Sequence, residues 1–243
     1  MNTAIKAGLL VGLVAGLLTG LFHLAFSEPV IDDAIAIEER FAQAGDHDDE
    51  VFSRNVQKAG MVVGWLVFGG VAGAFAATVY RFTAGRNERY ALRPSLAFAL
   101  LVYWAVFFLP FWKYPANPPG VGDPDTIDFR QGAYLGFAAI SLAATAGAWL
   151  LARFWQGQTP VRRYAAIAIV YGLAIGLAFW LMPGHNDPNP VPTDLLWKFR
   201  SLSLIGQAVF WTLVGLWLPF ALRRLSQTRP SATHLRPYIE KAP

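Results

Sequence analysis

Of the chain's 243 residues, 55% are hydrophobic and 15% charged, where an ordinary soluble domain carries about 25% charged residues. There is no Cys, which excludes disulfides, thiolate metal sites, iron–sulfur ligation and a Cys nucleophile. No P-loop, GxSxG elbow or HExxH sequence occurs, so the residues point to no recognised enzyme class and to no nucleic-acid partner. The net charge of +4 finds its explanation in how charge is distributed along a membrane-spanning chain.

The first apolar run covers residues 5–26 and carries Gly8, Gly12, Gly16 and Gly20 at strict four-residue spacing. That spacing builds one smooth helical face for close backbone contact with a neighbour. The run also exceeds the 7–15 residues of a signal-peptide core, so it reads as a retained helix. His23, three residues after Gly20, is the one ionisable group well inside an apolar run. Ionisable groups within the bilayer are candidates for function.

The connector 27–59 is long and acidic. Val30, Ala34, Ile37 and Phe41 form a helical stripe with Asp32, Asp33, Glu38 and Glu39 mostly off it, which predicts an amphipathic helix. Its acidity disfavours anionic lipid, so docking on protein is expected. His47 follows within an acidic run. Five further apolar runs come at residues 60–80, 95–112, 132–151, 165–182 and 202–222, each near the ~20 residues that cross the hydrocarbon. Gly60/Gly64, Gly69/Gly73, Gly132/Gly136 and Gly172/Gly176 repeat the four-residue spacing and read as ordinary bundle packing. Gln207 with Ser203, and Ser141 with Thr145, read as hydrogen bonds between helices.

The segments between the runs sort by charge. One side, including Lys6 and the tail, holds 13 basic residues with only Glu88 and Glu240, and the other holds 7 basic and 14 acidic. Lys/Arg excess marks cytoplasmic loops. The expected fold is therefore all-α and polytopic, with six transmembrane helices as three in–out–in hairpins and both termini cytoplasmic. Residues 1–225 would form the membrane domain and 226–243 a polar cytoplasmic tail with an isolated His234. Each outward loop closes on an aromatic residue and an arginine, at Phe52 and Arg54, Phe129 and Arg130, and Phe199 and Arg200. This pattern raises a pseudo-threefold repeat of the hairpins.

The most distinctive outward loop follows the third run. Between Tyr114 and Ile127 it contains four prolines and two glycines, which forbid regular helix and lower the entropy lost on ordering. It holds out Asp123 and Asp125 as candidate metal ligands and Asn117 as a neutral donor, with Lys113, Arg130 and Arg200 positioning the loop. Asp125 or Thr126 can also cap the following helix. His185 and Asp187 lie in a second Pro-flanked outward loop and join the candidate ligand set.

Residues 113–119 (Lys-Tyr-Pro-Ala-Asn-Pro-Pro) followed by 121–127 (Val-Gly-Asp-Pro-Asp-Thr-Ile) resemble the signature of the CbtA family, proposed cobalt transporter subunits. Residues 53–60 and 194–200 resemble the family's approaches to its second and last helices, and the likeness covers residues ~1–225. The resemblance implies a multi-pass protein of the bacterial inner membrane that takes part in cobalt uptake. It also implies a small single-span His-rich partner of the CbtB type. Co²⁺ accepts imidazole and carboxylate ligands, and the acidic outward face would concentrate cations. Co²⁺ would be cargo, and no resident cofactor is expected. The alternative is a non-transporting accessory subunit of a larger membrane complex, consistent with few interior polar groups and 35 aromatic residues.

Overall fold

The computed structural model describes residues 2–41, 52–85, 88–184 and 191–227. Every long element among them is a helix, and six are long and apolar enough to cross a membrane. The first is α1 (Asn2–Phe26), followed by the short α2 (Glu28–Phe41) and then α3 (Arg54–Thr83). The third span is composite: α4 (Leu92–Tyr103), a π-helical turn (Trp104–Phe108) and α5 (Leu109–Lys113). It is followed by α6 (Ile127–Phe154), α7 (Pro160–Leu181) and α8 (Thr193–Gln227). The helices outrun the apolar stretches read from sequence. Spans of 22 to 35 residues are about 33–52 Å long at 1.5 Å per residue, more than the ~30 Å hydrocarbon, so their polar ends stand in the interface.

The core is organised around α1. Its glycine stripe lies directly on α3: a Cβ on Gly8, Gly12 or Gly16 would overlap the carbonyl oxygen of Gly73, Gly69 or Trp65 respectively. Backbone thus touches backbone over most of the membrane. Ala4, Ala7, Val11 and Ala15 are buried on α1 and pack in clusters with Phe210, Trp211, Val214, Leu218 and Leu222 of α8. The other flank of α8 receives α4, where Gly215 sits against Leu96 and Ala99. A second unit, α6 with α7, is built on Phe137, Ile175 and Ala178, and it joins the first through α5 and the π-helical turn.

Pro110 explains the composite third span. It has no N–H to offer, and its ring would clash with the carbonyl four residues back, so the preceding turn widens. The Val106 carbonyl accepts instead from the Tyr134 hydroxyl of α6 at 3.3 Å. A proline in a membrane helix is tolerated when a neighbour re-satisfies the freed backbone group in this way.

Two sequence expectations are modified. Helices that follow one another do not all pack as pairs: α1 lies on α3 and α6 on α7, whereas α8 lies on α1 and α4. Nor do all the glycine pairs pack. Gly69 and Gly73 meet α1, but a side chain at Gly60, Gly64, Gly132, Gly172 or Gly176 would meet no neighbour within 4 Å among the described residues, and one at Gly136 only the end of Met182. Four-residue spacing guarantees a smooth face, but it does not determine which neighbour, if any, covers that face.

The contact can be tested by contrast. Gly12→Ala should destabilise the protein by about 1–3 kcal/mol through overpacking, seen as a lower Tm in detergent. Gly64→Ala, on an open face, should stay within about 0.5 kcal/mol of the parent.

Candidate functional site

The acidic ends of the helices gather into one surface, held together by three arginines. Arg54, at the start of α3, donates to Glu28 at 2.6 Å and to Asp32 at 2.7 Å, while Lys58 reaches Asp32 at 2.7 Å. Glu28 is buried, so its charge is used to fix α2 and is not available in solvent. Hydrogen bonds from Lys58 and then Arg54 hold the Asp32 carboxyl below the usual carboxylate range. With its ends fixed in this way, α2 presents its apolar stripe inward. Val30 and Ala34 are buried, and Ala34 and Ile37 pack with Val121, Val191 and Leu195. The protein on which the amphipathic helix docks is therefore its own chain.

The proline-rich loop is fastened on every side. Lys113 Nζ donates to the Phe179 carbonyl at 2.9 Å and the Tyr114 hydroxyl to the Pro183 carbonyl at 2.7 Å, which tie it to the end of α7. Arg200 of α8 donates to the Ala116 carbonyl at 3.2 Å and to Asn117 Oδ1 at 2.9 Å. Arg130 of α6 reaches back to the carbonyls of Val121 and Asp123. Gly122 (φ 101°) is required here, because its backbone is left-handed and a Cβ would strike the Arg130 guanidinium.

Between this loop and α6 lies a cavity of about 990 Å³, lined by Glu38, Asn117, Arg130, Gln131 and Tyr134 together with Phe107, Phe111 and the loop backbone. The cavity thus has aromatic walls, and its polar groups are the Glu38 carboxylate, the Arg130 guanidinium, the amides of Asn117 and Gln131 and the Tyr134 hydroxyl. Asp123 and Asp125 lie just beyond it and are exposed. Asp123 Oδ1 accepts from the Asp125 N–H at 3.0 Å, and its carbonyl accepts from the Thr126 hydroxyl at 2.8 Å. Asp123 therefore stabilises the turn that starts α6, and the Asp125 carboxylate, which is exposed, has no partner among the described residues. No group of three or more His, Asp or Glu side chains is assembled for a metal ion among the described residues. His47, His185, Asp187 and His234 lie outside the described residues.

His23 sits in a separate buried place, at the end of α1. It is 7% exposed, its Nδ1 is 2.7 Å from the Ser27 hydroxyl, and its ring stacks on Trp65 at 5.0 Å between centroids and 16° between planes. Its Nε2 is buried without a partner among the described residues. That nitrogen faces Gly206 of α8, where any Cβ would overlap it. Gln207, the next residue, lines a shallow groove with Gly64 and Trp65, while Thr145 bonds within α6 and to Tyr171 of α7.

Sequence reasoning missed Glu38, Gly206 and Trp65. Glu38 reads only as the polar side of an amphipathic helix, and it joins the cavity because Gly120 folds against it. Gly206 is a lone glycine outside any repeat. Its neighbour Gln207, polar in an apolar span, is the one local signal.

Six apolar helices, with polar loops tied across one end, define a multi-pass α-helical membrane protein. A family model described as probable cobalt transporter subunit (CbtA) matches residues 1–223, and the chain belongs to that family. Comparison with curated proteins and with solved structures returned no significant match.

The clamp on α2 has a defined pH sense. The folded-state pKa of Asp32 is depressed, so its contribution is present above the ordinary carboxylate value and is lost as pH falls below it. Protection of the α2 amides, relative to their intrinsic exchange rate, should be high at neutral pH and should fall only below about pH 4. Arg54→Gln, which leaves buried Glu28 only the longer 4.0 Å contact with Lys58, should lower protection in α2 already at pH 7 and cost about 1–3 kcal/mol.

Proposed function

We propose that this protein is the membrane subunit of a divalent-metal uptake system, with cobalt as cargo, and that it captures the cation at its acidic end. The observation that carries the reading is the overlap of the family-like loop with the large cavity of that end. In this reading the acidic end faces the periplasm, both termini are cytoplasmic, and the membrane is the bacterial inner membrane. The 14-to-7 acidic excess of that side raises the local cation concentration, an effect that salt screens. Asp125 and Asp123 are first-contact carboxylates, with Asn117 and Glu38 as oxygen donors at the cavity. His185 and Asp187, outside the described residues, remain candidate ligands on the sequence pattern alone.

His23 is the proposed relay within the membrane. An imidazole with Nδ1 anchored to Ser27 and Nε2 unpartnered is oriented to accept a metal or a proton at one atom. No nucleotide-binding motif occurs in the chain, so the drive is the membrane potential or a partner, such as a CbtB-like single-span subunit. Inward movement of a cation gains about 2.3 kcal/mol per charge per 100 mV.

A second reading, a non-transporting accessory subunit, draws on the packing of the α1–α3–α8 core. Its interior is glycine backbone, alanine, valine and aromatic rings, with few polar groups along it. Uptake of labelled Co²⁺ by cells expressing the protein with its small partner separates the two. Under the transport reading, Asp123→Asn with Asp125→Asn lowers uptake roughly tenfold or more, the scale on which metal-site support residues act. His23→Phe, which keeps the ring stack, should abolish uptake while leaving the protein folded and inserted. Unchanged uptake in both variants would favour the accessory reading.

A further inference from the structure

At the opposite, basic end, the helix termini enclose a pocket of about 240 Å³ lined by Thr3, Arg81, Arg89, Tyr90, Leu222 and Ser226. Three helices converge here: the first turn of α1, the last turn of α3 and the end of α8. A short 3₁₀ turn (Glu88–Tyr90) closes the pocket. Two of the six lining residues are arginines and none is acidic.

Neither arginine side chain makes an ion pair or a hydrogen bond within the described residues, and the Arg89 Nε is buried without an acceptor among them. The nearby acid, Glu88, does not line the pocket. It lies over Gly85, with its carboxylate within 3.4 Å of where a Gly85 side chain would begin. The Tyr80 hydroxyl is engaged with the Glu88 carbonyl, which pins the 3₁₀ turn in place. The first-turn amides of α1 add unsatisfied donors and a partial positive charge, opposed by the partial negative charges at the C-terminal ends of α3 and α8. The two full positive charges dominate that balance.

A buried guanidinium nitrogen with no acceptor is costly, and a planar fork of donors matches a phosphate oxyanion. The pocket lies between membrane-helix ends, the kind of place where basic sites hold lipid headgroups. From this geometry we infer that the pocket binds a phosphate group, carried by an anionic phospholipid of the adjoining leaflet or free in solution, through Arg81 and Arg89. Thr3 and Tyr90 supply hydroxyls around the oxyanion, the Ser226 hydroxyl being donated to the Arg223 carbonyl at 2.8 Å, and Leu222 meets the apolar side. The site is independent of the metal reading and would stand if that reading fell.

The test uses the full chain in nanodiscs or detergent, with lipid retention followed by native mass spectrometry and Tm measured in parallel. The wild type should retain phosphatidylglycerol over phosphatidylcholine and gain thermal stability from it. Arg81→Gln with Arg89→Gln should weaken retention about 30-fold, from about 1 kcal/mol per arginine near an anionic surface. Arg81→Lys with Arg89→Lys should keep part of it, and this variant guards against a folding defect. Arg153→Gln with Arg162→Gln, which removes equal charge at the same end but outside the pocket, should leave retention unchanged. Competition by millimolar inorganic phosphate would assign the site to free phosphate, and its absence to lipid. Equal retention of the two lipids without any phosphate effect would overturn the inference, as would an equal loss in the Arg153/Arg162 variant.

Discussion

Between α1 and α3 there is no room for a side chain. Gly8, Gly12 and Gly16 rest on the carbonyls of Gly73, Gly69 and Trp65, and this contact sets the distance and rotation of α1 against α3. In lipid there is no hydrophobic force to bring two helices together, so close van der Waals contact and small residues must do it. What depends on the contact extends beyond the helix pair. It sets the rotation of α1 that presents Ala4, Ala7, Val11 and Ala15 to α8. The same rotation carries His23 onto the Trp65 ring and against Gly206. A packing device thus positions the only imidazole among the described residues of the membrane domain.

The acidic end is held by a different principle. There the elements are short, proline-rich or amphipathic, and none would be fixed by its own backbone. Arg54, Arg130 and Arg200 each stand near the start of a long helix and reach across to a connector: α2, the 121–123 backbone, and Asn117 with Ala116. Rigid spans supply the anchor, and a forked cation supplies several bonds at once. The resulting cavity has rigid walls, which lowers the ordering cost of binding.

Much of the fold was legible in sequence because the bilayer imposes length and polarity on each span. The six runs, the amphipathic stripe Val30–Ala34–Ile37 and the glycine face of α1 all follow from periodicity. What was hidden depends on contacts between distant residues. The glycines at 60, 64, 132, 172 and 176 have the same spacing as those of α1, but sequence does not say which faces meet. The π-helical turn needed Pro110 and Tyr134 to be considered together, since the proline frees a carbonyl that a hydroxyl 28 residues on accepts the task of satisfying. At the site, Asp123 and Asp125 were visible as exposed carboxylates, whereas the role of Asp123 in the turn before α6, and the presence of Glu38 at the cavity, required the three-dimensional arrangement.

In the proposed function the acidic end faces outward and gathers a divalent cation at the loop cavity. The absence of Cys permits a direct measurement with Gln131→Cys at the cavity and Gln158→Cys at the opposite end. Right-side-out membranes would be treated with an impermeant maleimide, with and without Co²⁺. Labelling is expected at 131, slowed by Co²⁺ but not by an equal ionic strength of Na⁺, and none at 158 until the membrane is opened. Labelling at 158 from outside, or a rate at 131 indifferent to Co²⁺, would contradict the proposed function.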